Sequence, residues 1–237
     1  MEAVCEIMPY SGGLKRNIVQ CLEDYGIPLY LSTTVSEIHG DKRVEAVTIA
    51  KVDGNRRPIP ETARTIPCDT LLLSCGLIPE NELTRGAGIA MDRRTSGAVV
   101  DQYRQTAVPG IFACGNVLQV HDLVDYVSDE AEIAGRAAAD RVLGGKLSGE
   151  TLETAPGNGV RYVLPQRIVK TDEAVDLFLR VTKPCGKVRF TVKAGETVLA
   201  SAVRPVVSPG EMEKIRVPAG KLAEVGGTVT VELEELA

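Results

Sequence analysis

The chain has 237 residues, 44% hydrophobic and 25% charged, with a formal net charge of −5; this is the make-up of one or two ordinary globular domains. Mean hydropathy is +0.02, no apolar run approaches the roughly 20 residues that cross a bilayer, and Met1–Tyr10 lacks a basic segment followed by an apolar one. Lys and Arg are too dispersed to track a phosphate backbone, and aromatics, at 4% with no Trp, are too scarce for a base-stacking platform, so a cytoplasmic protein with neither membrane nor nucleic-acid partners is expected.

Ala3-Val4-Cys5 reads as the end of a buried strand with Glu6 at its tip. After the turn Pro9–Gly13, apolar residues recur at Leu14, Ile18, Cys21/Leu22 and Tyr25, a helical spacing that Gly26 and Pro28 stop. Ile27–Leu31 is a short strand. Thr34–Ile38, Arg43–Val52 and Thr65–Pro67 alternate around Gly40-Asp41 and Asp53-Gly54-Asn55, which predicts an antiparallel meander. Thr70–Cys75 is a continuous apolar run ending at Gly76, the pattern of a fully buried parallel strand.

A second unit runs from about Glu80 to Leu147. Ala98–Val100 and Ile111–Cys114 read as short strands. Ser128-Asp129-Glu130 reads as a capped helix start with carboxylates where the dipole favours them. Ala131, Ala134/Gly135, Ala138 and Val142 form the expected apolar face, and Gly144-Gly145 the stop. Ser148–Asn158 is polar and small, hence a linker. Beyond it the period becomes two: Val175, Leu177, Leu179 and Val181 share a face, as do Val188, Phe190 and Val192, and Val229, Val231 and Leu233. Short strands broken by Pro and Gly suggest a small β-sandwich over 159–237.

Cys5, Cys21, Cys68, Cys75, Cys114 and Cys185 include no pair at zinc-knuckle or redox C-x-x-C spacing. Four of them (Cys5, Cys21, Cys75, Cys114) have apolar neighbours and read as small hydrophobes. With His39 and His121 as the two histidines, no metal site is expected. His121 and Asp122 read as a surface loop pair, with a role facing a substrate as the alternative.

The most specific segment is Thr106-Ala-Val-Pro-Gly-Ile-Phe-Ala-Cys-Gly-Asn116. It resembles the second flavin fingerprint of the pyridine nucleotide–disulfide oxidoreductase family, T-x-x-x-x-[AVI]-[FY]-A-x-G-D. The resemblance implies that Gly115 lets the main chain approach the phosphate–ribityl part of FAD. Asn116 would bond the ribityl chain in place of the usual Asp. It also implies that the helix opening at Ser128 and Asp129 aims its N-terminus at the flavin pyrimidine, with Tyr126, Val127 and Ser128 offering backbone N–H groups. Leu73–Asn81 resembles the family's strand-G-x-x-P-N segment, which places Gly76 beside the dinucleotide.

A Rossmann unit carries an acidic residue at the tip of its second strand to bond the adenosine ribose. Glu6 fits that place and favours NAD, while Lys15 and Arg16 leave NADP open. No G-x-G-x-x-G motif occurs. In the family both glycine motifs lie ahead of the strand that bears Glu6, so they would precede Met1.

The expected fold is therefore α/β: a partial Rossmann-like FAD/NAD(P)-binding region followed by an all-β sandwich. Residues 1–80 form the C-terminal half of a NAD(P)-binding domain, 81–147 a returning segment of the FAD domain, 148–158 a linker and 159–237 the sandwich. The resemblance covers about residues 3–145 and implies part of an FAD-dependent oxidoreductase that moves hydride between NAD(P)H, FAD and a second substrate. The missing N-terminal half of the polypeptide is then its first partner, with a companion subunit or self-association through the sandwich left open. The absence of a C-x(4)-C or C-x-x-C pair disfavours a disulfide reductase. The competing expectation is a non-catalytic interaction module that has lost its cofactors.

Overall fold

A parallel strand pair needs a crossover between its members, and the first thirty residues supply one. The structure, a computed structural model, describes residues 1–145 and 147–236 and divides into two units, Met1–Gly76 and Leu77–Ala237. In the first, β1 (Val4–Cys5) pairs parallel with β2 (Leu29–Tyr30). Between them lie α1 (Lys15–Ile18) and a π-helical turn, Val19–Glu23. The long amphipathic helix expected here is thus one short turn and a widened one, and neither buries a residue.

The meander forms as expected. β3 (Thr33–His39), β4 (Ala46–Lys51) and β5 (Arg64–Pro67) run antiparallel in sequence order. Val47, Ile49 and Ala50 of the central strand are buried. Gly40 makes the β3–β4 turn at φ +119°, and a Cβ there would stand 1.9 Å from the Arg43 carbonyl oxygen, so only glycine fits. The apolar run Thr70–Cys75 is a correction to the sequence reading. It forms no strand, and Leu72 and Leu73 are 74% and 75% exposed. A central strand takes its stability from partners on either edge and cover on both faces. Among the described residues no segment pairs with this one.

The second unit opens with α2 (Glu82–Gly86). The two short strands expected next are reduced to isolated bridges, Met91↔Ala98, Val100↔Thr106 and Gln105↔Phe112. A 3₁₀ turn over Gly115–Val117 leads to α3, Val124–Val142. That helix begins four residues before the expected Ser128, behind the extended Leu123 and with Asp125 in its first turn. Its inward face is also rotated from the expected one, carrying Glu130, Ala134 and Ala137, while Val142 is exposed.

Eight strands follow: β6 (Thr151–Pro156), β7 (Val160–Leu164), β8 (Arg167–Val169), β9 (Val175–Val181), β10 (Val188–Ala194), β11 (Thr197–Arg204), β12 (Glu213–Val217) and β13 (Val229–Glu235). They form a five-stranded sheet, β11-β10-β13-β6-β8, and a three-stranded sheet, β12-β9-β7. The residues that alternate along β9, β10 and β13 all enter one buried cluster, with Leu177, Val188, Phe190, Val192, Val229 and Val231 fully covered.

The expected linker 148–158 is corrected by β6, which lies parallel to β13 and antiparallel to β8. Its polar alternation hides its place in a sheet, because Leu152 is its one fully buried side chain. Side-chain bonds and a shared core tie these sheets to the preceding segment. The Gln102 side-chain amide bonds both backbone groups of Val169, at 2.7 and 2.9 Å. Leu164 and Phe178 leave the main core and pack with Ile89, Ala98, Val100, Leu118 and Met212. The β7–β9 pair is therefore covered on both faces.

Among the described residues no helix is long and apolar enough to cross a membrane. Leu177→Ala should cost about 3 kcal/mol by urea denaturation, the effect of opening a cavity in a packed core. The exposed Val198→Ala should stay within about 0.5 kcal/mol. Equal effects for the two would contradict the assignment of the core to the space between the sheets.

Candidate functional site

The turn at Gly115-Asn116 is organised by one buried carboxylate. Glu130, on the second turn of α3, accepts from Arg104 Nε (3.1 Å) and Gln119 Nε2 (3.3 Å) on Oε1. On Oε2 it accepts from the Gly115 backbone N–H (2.8 Å) and from His121 Nε2 (3.0 Å). The Arg104, His121 and Glu130 side chains are 1%, 2% and 3% exposed. Burial would raise the Glu130 carboxyl, but the His121 bond, the Arg104 charge and the Gly115 amide together hold it below its ordinary range. Glu130 also fixes the proton of His121 on Nε2.

A second layer extends the network into the sheets. Tyr162 on β7 donates to Gln119 Oε1 at 3.0 Å. Asp122 is ion-paired to Arg180 on β9 (3.1 Å) and accepts from the Met212 backbone N–H (3.3 Å). Asn81 clamps the other side of the turn, donating to the carbonyls of Ser96 (2.9 Å) and Val117 (2.8 Å). His121 and Asp122 are therefore not a surface loop pair as expected: His121 is hydrogen-bonded to Glu130 and Asp122 is ion-paired to Arg180, both inside the fold. The Cys114 thiol is pushed up by burial and by the Glu130 charge, with Arg104 opposing, so it stays protonated at neutral pH, an unreactive form.

Gly115 is buried at φ +72°, a conformation that favours glycine. A Cβ there would meet Val127 Cγ1 at an ordinary 3.5 Å, so the backbone angle and not lack of space selects glycine. Its N–H is engaged by Glu130 and is unavailable to a ligand. Asn116 is exposed, and its Oδ1 accepts from the His121 N–H (3.1 Å). Its Nδ2 has no hydrogen-bond partner among the described residues. The α3 N-terminus adjoins this turn, and its first-turn N–H groups have no partner within the helix. Ser128 and Asp129 lie in the second turn instead, where Ser128 Oγ donates to the Val124 carbonyl (3.3 Å) and Asp129 is exposed.

In the first unit, Glu6 follows β1, and its Oε1 accepts from the Met8 N–H (2.9 Å), while its second oxygen has no hydrogen-bond partner among the described residues. Gly76 has φ +88° with open space around a Cβ. For FAD, the donors of Asn116 and the start of α3 fit a ribityl chain and an anionic ring; for a dinucleotide, the free oxygen of Glu6 fits a ribose diol. Sequence reasoning missed Glu130, Arg104, Gln119 and Tyr162. The one signal was a carboxylate sharing the i, i+4, i+7 stripe with Ala134 and Ala137.

Comparison with known proteins places residues 1–138 within the model of the pyridine nucleotide-disulphide oxidoreductase family. A nitric oxide reductase FlRd-NAD(+) reductase of Salmonella agona is 27% identical over 124 residues, 52% of this chain and 29% of that protein. The hydrogen cyanide synthase subunit HcnB of Pseudomonas aeruginosa is 31% identical over 121 residues, 50% of this chain and 25% of that protein. The chain thus spans less than a third of the length of these curated relatives. A thioredoxin reductase from Gloeobacter violaceus aligns in structure over 51% of this chain and 36% of that one, with 20% identity and a TM-score of 0.26.

Glu130→Gln should destabilise the second unit by about 3 kcal/mol at pH 7, since it leaves Arg104 buried without a counter-charge. The carboxyl sits below its unfolded value, so its contribution is complete above about pH 4.3 and fades as pH falls through the folded value. Denaturant titrations of the two proteins should therefore begin to converge as pH falls below about 4.3, and the gap should go on narrowing below it. A gap that persisted undiminished to pH 2 would contradict an ionised Glu130 at the hub.

Proposed function

The chain belongs to the pyridine nucleotide-disulphide oxidoreductase family, and from that premise we propose that it is part of an FAD-dependent oxidoreductase that uses NAD(H). The observation that carries the reading is the placement of Asn116 and the left-handed Gly115 beside the first turns of α3. Asn116 Nδ2 would bond the ribityl hydroxyls. The α3 N-terminus, at Val124–Tyr126 rather than at Ser128 and Asp129, would face the pyrimidine side of the ring, where a positive dipole end favours negative charge. Glu6 would bond the ribose of NAD, and Gly76 would leave room for the dinucleotide.

FAD, when bound, would supply the hydride chemistry between NAD(H) and a second substrate, and the protein position and electrostatics. The residues of this chain do the positioning. Glu130 pins the Gly115 peptide and His121, Asn81 pins Val117, and Tyr162 braces Gln119 from the sheets. The Salmonella relative is an NAD(+) reductase by name, which supports NAD as the nicotinamide partner. The glycine-rich phosphate loops would come from a preceding portion of the polypeptide. Such a portion would also supply edges and cover for the exposed Leu72 and Leu73. The two-sheet region reads as a β-sandwich that buttresses the flavin turn.

Two observations favour the competing reading of an interaction module without cofactor: Asn116 stands where the family has Asp, and the Gly115 N–H is already engaged. A visible-absorption titration with FAD separates the two. This chain alone should bind FAD weakly, and a polypeptide extended through two glycine motifs should bind it stoichiometrically. In the extended protein Asn116→Ala should weaken FAD by about 3- to 10-fold, the worth of one hydrogen bond. Tight binding by this chain alone would refute the proposed division of labour; no binding by the extended protein would establish the interaction module.

A further inference from the structure

The second unit contains a cavity of about 410 Å³ that the flavin turn does not use. Its volume falls within the range of small-molecule sites. One wall is apolar, made by Leu77, Ile78 and Pro79. The lining also carries three guanidinium groups, from Arg94, Arg161 and Arg180. Arg161, Tyr162, Arg180, Pro209 and Gly210 lie beyond residues 1–138, so much of the lining falls outside the stretch shared with the family.

The charge on these walls is unbalanced. Asp122 is the one carboxylate in the lining, and it is spoken for by Arg180, which also donates to the carbonyls of Val120 (3.0 Å) and Pro209 (3.1 Å). Arg180 is thus a fixed part of the wall. Arg94 and Arg161 are exposed and form no ion pair among the described residues. Two uncompensated guanidinium groups line this half-open cleft, and each presents the planar donor fork that matches a carboxylate. Inorganic phosphate would satisfy that charge but leave Leu77, Ile78 and Pro79 against water. An organic carboxylate with an apolar body satisfies both.

We propose that this cavity is a binding site for a small organic carboxylate, with Arg94 and Arg161 receiving the carboxylate and Leu77, Ile78 and Pro79 covering the apolar body. The site stands independently of the flavin reading, since every residue in it belongs to this unit and its occupancy can be measured without redox turnover. Gln119 and His121 line it as well, so an occupant would rest against the side chains that hold Glu130.

Titration calorimetry on the full chain, at fixed ionic strength, tests the proposal with hexanoate, its neutral analogue hexanamide and inorganic phosphate as probes. Hexanoate should bind saturably and at least 10-fold more tightly than either of the others. Arg94→Gln and Arg161→Gln should each weaken hexanoate by about 5- to 10-fold, and Ile78→Ser should weaken it as well. Both arginines are exposed, so far-UV circular dichroism should be unchanged. Absence of saturable hexanoate binding, equal affinity for hexanamide or phosphate, or indifference to both arginine substitutions would each overturn it.

Discussion

A single ionised carboxylate in a dry interior sets the terms for the second unit. Glu130 gathers an arginine, a histidine, an amide side chain and a backbone N–H around four bonds, so its desolvation is offset from four directions. Remove it and Arg104 is stranded, His121 loses its tautomer and the Gly115 peptide is free to turn. The rotated face of α3 follows from the same demand. The helix presents Glu130, Ala134 and Ala137 inward because only the short alanine side chains let its axis come close enough for the carboxylate to reach Gly115.

This arrangement joins two regions that composition alone would separate. The segment 77–147 and the sheets share a second core, and polar ties from Gln102, Gln119 and Asp122 cross between them. The β7–β9 pair is consequently buried on both sides. The sheets then hold the Gly115-Asn116 turn from behind, through Tyr162 and Gln119.

The sequence was legible where a pattern is local. The period of two along β9, β10 and β13, the meander around Gly40, and the Gly115-Asn116 turn could all be read because each rests on neighbours in sequence. What stayed hidden rests on partners far along the chain. Thr70–Cys75 looks like a buried strand by composition, yet a strand exists only where something pairs with it. β6 looks like a linker because one residue, Leu152, carries its burial. Glu130 is indistinguishable from a surface glutamate until Arg104, 26 residues earlier, is brought to it. The start of α3 was misplaced because Ser128 and Asp129 resemble a cap, whereas Leu123, with no capping side chain, is where the backbone turns helical.

The position of β13 has a consequence for biosynthesis. It is the last strand in chain order, yet it lies between β10 and β6 in the five-stranded sheet. As the polypeptide leaves the ribosome, β10–β11 and β6–β8 can pair early, but each is left with a bare edge until residues 229–235 emerge. Closure of the sheet is therefore a late event, and the nascent chain spends that interval with two unpaired strand edges open to the wrong partner.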